Sequence, residues 1–250
     1  LFSKLPFVYR VHPIPDEDDV EKLRTTLNIF GFKVPYKTLT PKILADILRE
    51  IQWNPKEKLL QKLILRSLEK AIYSEENVGH FWLNLEYYSH FTSPIRRYPD
   101  LKIHRIIKEK LSWKLDKKRT EHYQDILKSV SKHTSESERK AEKLEYAVKD
   151  LMICKYYESR IGEEFEGIIS GMIESWFFVE LENTAEGFVS IEQVGKVLWK
   201  NKYEYNQENM KFDFSKDFSL QVWDTLKIKI WSVEMDKRRL NFDFWEKIIK

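Results

Sequence analysis

Three things are scarce in this 250-residue chain, and each scarcity removes a class of function. It has one cysteine, Cys154. A lone thiol excludes a disulfide framework and a cysteine-based zinc site, and it suits a reducing compartment, so a cytoplasmic setting is expected. No run of about 18 apolar residues occurs, and the first residues, LFSKLPFVYR, lack the layout of a secretion signal, so no membrane association is expected. Excess charge is scarce as well: 43 Lys and Arg against 40 Asp and Glu leave a formal charge of +3. A blanket basic surface is thereby excluded, and any nucleic-acid site has to come from local clustering. The sequence has no initiator Met and opens in mid-pattern, so it is expected to be a piece of a longer polypeptide.

Aromatics, by contrast, are plentiful: eight Trp, twelve Tyr and fifteen Phe. Their faces can stack on unpaired bases, although most aromatics in most proteins fill cores, so abundance alone only permits that use. The length has room for one large or two smaller domains, and a change of texture near residue 160 argues for two, 1–160 and 161–250.

The first 15 residues read as extended, Phe7, Val8, Tyr9 and Val11 leading into His12-Pro13-Ile14-Pro15. Asp16 then caps a helix with Val20, Leu23, Leu27 and Phe30 on one stripe and Gly31 as its stop. The run Asp16-Glu17-Asp18-Asp19 could be taken for a metal site, but an acidic first turn is the ordinary complement of the helix dipole. A second helix opens on Thr40 and Pro41 and carries Ile43, Leu44, Ile47, Leu48 and Ile51; a third opens on Asn54 and Pro55, carries Leu59, Leu60, Leu63, Ile64 and Leu68, and runs to about Ile72. FWLNLEYY, residues 81–88, reads as irregular.

The chain is organised around residues 79–111, GHFWLNLEYYSHFTSPIRRYPDLKIHRIIKEKL. Pro94 and Pro99 bracket Ile95-Arg96-Arg97-Tyr98, and each proline fixes its own φ and restricts the residue before it, so the bridge is stiff and non-helical. A helix follows, with Pro99 at its start, Asp100 in its first turn, and Ile103, Ile106, Ile107 and Leu111 on one flank. Two guanidinium groups ahead of a helix start suit a phosphate, with His90, Thr92 and Ser93 adding donors. The same pair also suits structural salt bridges, and spacing alone leaves both open. Asp100 and His104, four residues apart, are read as a stabilising pair rather than metal ligands, since no further ligands stand at recognisable spacing.

Beyond this helix the pattern predicts a helix over 117–133, a polar break from Ser129 to Ser137, and a helix from about Glu136 to Ser159 whose apolar face is Ala141, Leu144, Val148, Leu151 and Met152. Glu145 borders that face, where it either pairs with Lys149 or holds a functional arginine in register. From Gly162 short alternating segments punctuated by turns predict a five-stranded antiparallel barrel of OB type, with 201–219 as a long insertion. Phe177 and Phe188 are the candidate stacking aromatics, with Phe178, Val179 and Leu181 more mixed. Lys211, Lys227, Lys229, Lys237, Arg238 and Arg239 either track phosphates or face solvent, and the two arginines read as a hairpin turn.

HFTSPIRRYPDLKIHR, preceded by YSEENVGHFWL, resembles the signature of the RNB family of 3′-to-5′ exoribonucleases, ribonuclease II and ribonuclease R, and is closer to the latter. LPFVYRVHPIPDEDDVEKL and LILRSLEKAIYSEEN resemble the segments ahead of that signature. The order GxIxGxxxxxFFVEL, EGFVSI, LKIKIWSVEMDKRRLNFDF resembles the S1 motif, with Ser175-Trp176 in place of the usual Phe-Gly and Ser190 where His is common. The resemblance implies an α+β chain, a mostly helical C-terminal portion of an RNB catalytic domain followed by an S1 barrel. It further implies processive hydrolysis of single-stranded RNA to nucleoside 5′-monophosphates, with two Mg²⁺ ions activating the water and clamping the phosphate. Arg96 matches the arginine at the reacting phosphate, and Glu145 matches an acid adjoining the active site. His90, Thr92, Ser93, Arg97, Tyr98, Phe177, Phe188 and Lys211 are the RNA-binding candidates. The family's metal-binding aspartates have no counterpart here, so the Mg²⁺ ligands are expected outside this chain. The alternative is a non-catalytic RNA-binding relative or fragment. A monomer is expected, with other RNA-decay proteins as conceivable partners.

Overall fold

The structure, a computed structural model, describes residues 5–34, 38–54, 57–199, 202–206 and 210–248, apart from the side chains of Lys58 and Leu59. Pro55 and the inward position assigned to Leu59 therefore lie outside what is described. Two compact units are resolved, Leu1–Glu142 and Lys143–Lys250.

In the first unit, the helices start where capping chemistry says they should. Asp16 accepts the backbone N–H of Asp19 at 2.8 Å to open α1 (Glu17–Ile29), and Gly31, at φ +80, lets the chain turn away after it. Thr40 accepts from Ile43 N–H at 3.2 Å to open α2 (Pro41–Glu50). Leu23 and Leu27 of α1, Leu44 and Ile47 of α2, and Leu60 and Ile64 of α3 (Glu57–Ser67) share one apolar core.

The third helix stops at Ser67, short of the predicted Ile72. Ile72–Ser74 instead form strand β2, paired antiparallel with β1 (Tyr9–Val11) in the register Tyr9↔Ser74 and Val11↔Ile72. Tyr73 is buried beside Ile103 and Ile106 of α4 (Tyr98–Leu111), while Leu111, predicted on the same flank, is exposed. Phe81–Tyr88 are irregular, as expected, and are tied back through bridges joining His12, His80 and Leu85.

The predicted break at 129–137 does not exist. Residues Lys117–Glu158 form one 42-residue helix, α5. The hydroxyl groups that suggested a break bend back onto the helix: Ser129 donates to Ile126 O at 2.9 Å, Thr134 to Val130 O at 2.7 Å and Ser135 to Ser131 O at 2.9 Å. Their polarity is satisfied without leaving the helix. The border between the compact units falls inside α5, ahead of the change of texture near 160. The apolar face expected from Leu144, Val148 and Met152 is exposed; Cys154 and Tyr157 are buried in its place. Tyr157 meets Phe165 edge-on at 5.5 Å and receives a hydrogen bond from Asn183 at 2.9 Å.

The second unit contains a closed five-stranded barrel in the order β10-β5-β4-β3-β9: β3 (Glu164–Ile173), β4 (Trp176–Leu181), β5 (Glu186–Ser190), β9 (Thr225–Glu234) and β10 (Arg239–Ile248). Its pairings are antiparallel except β5 with β10, which run parallel through Phe188↔Asn241 and close the barrel. Gly187 makes that closure possible, because a Cβ there would stand 2.4 Å from the Phe242 ring. Between β5 and β9, α6 (Ile191–Val197) is followed by a separate three-stranded sheet, β6 (Glu204–Asn206), β7 (Lys211–Ser215) and β8 (Phe218–Gln221). The described part of the predicted insertion, 201–219, thus contributes to an ordered sheet and buries Phe212 and Phe214.

Candidate functional site

The turn before α4 is built around one buried carboxylate. Asp100 is fully buried, and its Oδ2 accepts the Ser93 backbone N–H at 2.8 Å and Arg97 Nη2 at 2.9 Å. Asp100 Oδ1 and Arg97 Nε have no partner among the described residues, so the tie is single-pronged rather than a fork. Ser93 O in turn accepts the N–H groups of Arg97 at 2.9 Å and Arg96 at 3.3 Å. Pro94 and Pro99 stiffen this turn from within the chain, and Asp100 stiffens it from below.

The two arginines therefore part company. Arg97 is half-buried and tied to Asp100; Arg96 is exposed, with no side-chain hydrogen bond or ion pair to another described residue. Of the two openings left by the spacing, Arg97 takes the structural ion pair, while Arg96 stays exposed and without a side-chain partner among the described residues.

Around them, His90 is half-buried, with Nδ1 2.8 Å from Tyr73 Oη and its ring edge-on to Tyr73 and Tyr88. Burial, and then the charges of Arg97 and Arg10, lower its pKa to about 4, so it is neutral at pH 7. Thr92 is exposed and Ser93 half-buried. Tyr98 is exposed, with Lys102 Nζ 5.5 Å from its ring centre. His104 does not pair with Asp100 as the spacing suggested. Its Nε2 lies 2.8 Å from Phe91 O and its ring packs on Phe91, because Asp100 is already engaged by Ser93 and Arg97. Leu83, Leu85, Tyr87, Phe91 and Ile95 are exposed in the same segment.

Glu145 is exposed on α5 and makes neither the expected pair with Lys149 nor any side-chain hydrogen bond to a described residue. Among the described residues, no three His, Cys, Asp or Glu side chains converge on one point. The acidic run at 16–19 serves helix α1, Asp16 as its cap and Asp19 paired with Lys22 at 3.1 Å. These residues do not fit a divalent-cation site.

On the barrel, the outward aromatics are not quite those expected. Phe177 is 0% exposed, inside the barrel, and cannot offer a ring face. Strand alternation puts its neighbour Phe178 outside, directly opposite Phe188, with ring centres 4.8 Å apart. The Arg239 guanidinium sits 4.4 Å from the Phe188 ring centre. Arg238 and Arg239 do not share a turn: Arg238, at φ +51, is in it, and Arg239 opens β10. Lys211 lies on β7, outside the barrel, and pairs with Asp213 at 2.7 Å. Phe178 and Arg239 were thus missed as a pair with Phe188. Anchoring the alternation on the buried valines Val179 and Val189 was the signal available to find Phe178.

Comparison with known proteins covers both units. The RNB domain model matches residues 2–113 and the S1 RNA binding domain model matches residues 158–243. Ribonuclease R of Aquifex aeolicus is 38% identical over 250 residues, which cover 98% of this chain and 34% of that protein. The chain spans about a third of the length of the curated relatives it matches. Among solved structures, the apo form of Mycoplasma genitalium RNase R gives a TM-score of 0.86 at 26% identity, covering 97% of this chain and 38% of that one. The same protein in complex with ribose-methylated single-stranded RNA matches equally well. Yeast Ssd1, a pseudonuclease, shares the fold at a TM-score of 0.58 and 19% identity, over 92% of this chain and 27% of its own. With the proline-framed arginine turn inside the first matched region and the closed barrel inside the second, the chain belongs to the RNB family and carries an S1 RNA binding domain.

Proposed function

We propose that this chain is part of an exoribonuclease that shortens single-stranded RNA from its 3′ end, releasing nucleoside 5′-monophosphates processively, and that Arg96 stabilises the reacting phosphate. The observation that carries this reading is an exposed, unpaired guanidinium on a turn locked by two prolines and the buried Asp100. A planar, permanently charged fork held on rigid backbone can share two phosphate oxygens as negative charge builds, without reorganising at that moment. Arg97 and Ser93 position the turn. His90, being neutral, supports it by packing and leaves the positive charge to Arg96. The barrel holds the strand upstream of the cut through Phe178, Phe188 and Arg239.

Mg²⁺ would activate the attacking water in such an enzyme. No ligand set for it is among the described residues, so its ligands are assigned to parts of the parent protein outside this chain.

The test is Arg96→Lys in the full-length parent protein. Turnover is expected to fall about 10²–10³-fold, equivalent to ~2.7–4 kcal/mol, with RNA affinity little changed. Near-normal turnover would remove Arg96 from the reaction. A second reading, a non-catalytic RNA-binding platform, is favoured by the lack of converging acids among the described residues. It predicts that the parent protein releases no monophosphate from labelled single-stranded RNA with magnesium.

A further inference from the structure

Two tryptophans stand out on the opposite side of β10 from β5. In the ladder between β9 and β10, Phe242 pairs with Ile230 and Asn241 with Ser232, which leaves Trp231 as an extra residue; Phe244 pairs with Ile228 and Glu246 with Lys227, which leaves Trp245 as another. Each is thus the inserted residue of a β-bulge, a device that re-aims a side chain. Both are out in solvent, Trp231 64% and Trp245 52% exposed, although burying either indole would be favourable.

They line one cleft of about 400 Å³, closed on another side by Gln193 and Val197 of α6. At its centre the cross-strand partners Lys229 and Asp243 face outward between the two indoles. Lys229 has no carboxylate within ion-pairing distance among the described residues, whereas its neighbour Lys227 pairs with Glu164 at 3.0 Å. Asp243 accepts a hydrogen bond from the Gln193 amide, and burial raises its carboxyl pKa above the ordinary aspartate value, while the nearby Lys229 charge opposes that rise. Trp231 and Trp245 are three to four residues apart along the ladder, about 10–13 Å at ~3.3 Å per residue. One base cannot touch both, so the cleft has places for two.

We propose that this wall of the barrel is a second single-stranded RNA subsite, in which Trp231 and Trp245 each stack on an unpaired base and Lys229 pairs with the phosphate between them. Its ligand is the RNA strand itself, because the outward row of β10, Arg239, Asn241, Asp243 and Trp245, runs without interruption from the Phe188 ring to this cleft. An ammonium group between two aromatic faces is the arrangement that binds unpaired nucleotides with little sequence preference. The proposal rests on the reading that the barrel binds RNA, and adds to it a wall separate from Phe178 and Phe188.

The experiment measures binding of a long fluorescein-labelled oligouridylate to the whole 250-residue chain by anisotropy, across a salt series. Trp231→Ala and Trp245→Ala are each expected to weaken binding about tenfold with an unchanged melting temperature, while the Phe variants at both positions restore it. Lys229→Gln is expected to lower the slope of log K against log salt by about 0.7, the loss of one phosphate contact on a single strand. If the tryptophan variants bind like the wild type while Phe178→Ala and Phe188→Ala are weakened, the second subsite is refuted and the barrel reading stands; the cleft then belongs to a protein partner. If the wild-type chain binds no oligouridylate at all, the barrel reading itself fails and this inference falls with it.

Discussion

The turn that carries Arg96 and the wall that carries Phe178 and Phe188 reach the surface by opposite routes. The turn is a local device: two prolines, one buried carboxylate and four hydrogen bonds within eight residues fix which arginine is held and which is exposed. The wall is a global one. Phe178 faces out only because the barrel closes, with Val179 and Val189 inside and Gly187 leaving room for the Phe242 ring. A local lock tolerates change elsewhere but depends on one residue. A barrel spreads its dependence over many residues, yet a one-residue slip of register would exchange its faces.

The largest effect that tests this contrast is on stability. Phe177→Ala is expected to destabilise the second unit by ~3–5 kcal/mol, the cost of emptying an aromatic site in a core, read from denaturant unfolding. Phe178→Ala, one residue on, is expected to leave the unfolding midpoint nearly unchanged and to weaken oligouridylate binding instead. Asp100→Ala breaks a buried pair and is expected to cost roughly 3 kcal/mol or more, because the half-buried Arg97 loses the one carboxylate that pairs with it among the described residues. Arg96→Ala, in contrast, is expected to leave the melting temperature within a degree or two of the wild type, since surface changes that break no contact rarely matter to stability. Equal effects at positions 96 and 100 would show that the turn does not divide its arginines. Gly187→Ala is expected to cost ~1–3 kcal/mol through overpacking against Phe242.

The last effect is set by pH. His12, His80 and His90 all have pKa values below the ordinary 6.5, burial being the first cause in each, and His90 is lowered to about 4. Between about 4 and 6.5 the unfolded chain therefore binds protons that the folded chain refuses. Stability should be complete above pH 6.5 and decline as pH falls through that window, and His90→Gln should flatten the decline in a series of thermal melts. A flat profile in the parent chain would mean that the histidines under the signature segment are open to water.

Helix starts were legible because capping is chemistry of near neighbours: Asp16 and Thr40 each bond three residues ahead. The signature turn was legible for the same reason, down to a stiff bridge with two arginines. Which arginine is free was not, since the answer depends on the burial of Asp100. The continuous α5 was hidden because Ser129, Thr134 and Ser135 read as breakers until their hydroxyls are seen to bond back along the helix. Phe177 was taken for Phe178 because period two fixes alternation but not its phase. The sheet of β6, β7 and β8 was hidden because its apolar contacts come from neighbouring strands rather than from one alternating run, Tyr205 opposite Phe212 and Phe212 opposite Leu220.

The Arg97–Asp100 tie has a consequence for counting. Two free guanidinium groups side by side would offer a polyanion two seats, and a strand could settle one nucleotide early or late. With Asp100 engaging one of them, one exposed guanidinium remains on this turn, and if the proposed trimming of RNA takes place there, that group would serve as a fixed mark against which each advance of the strand is measured.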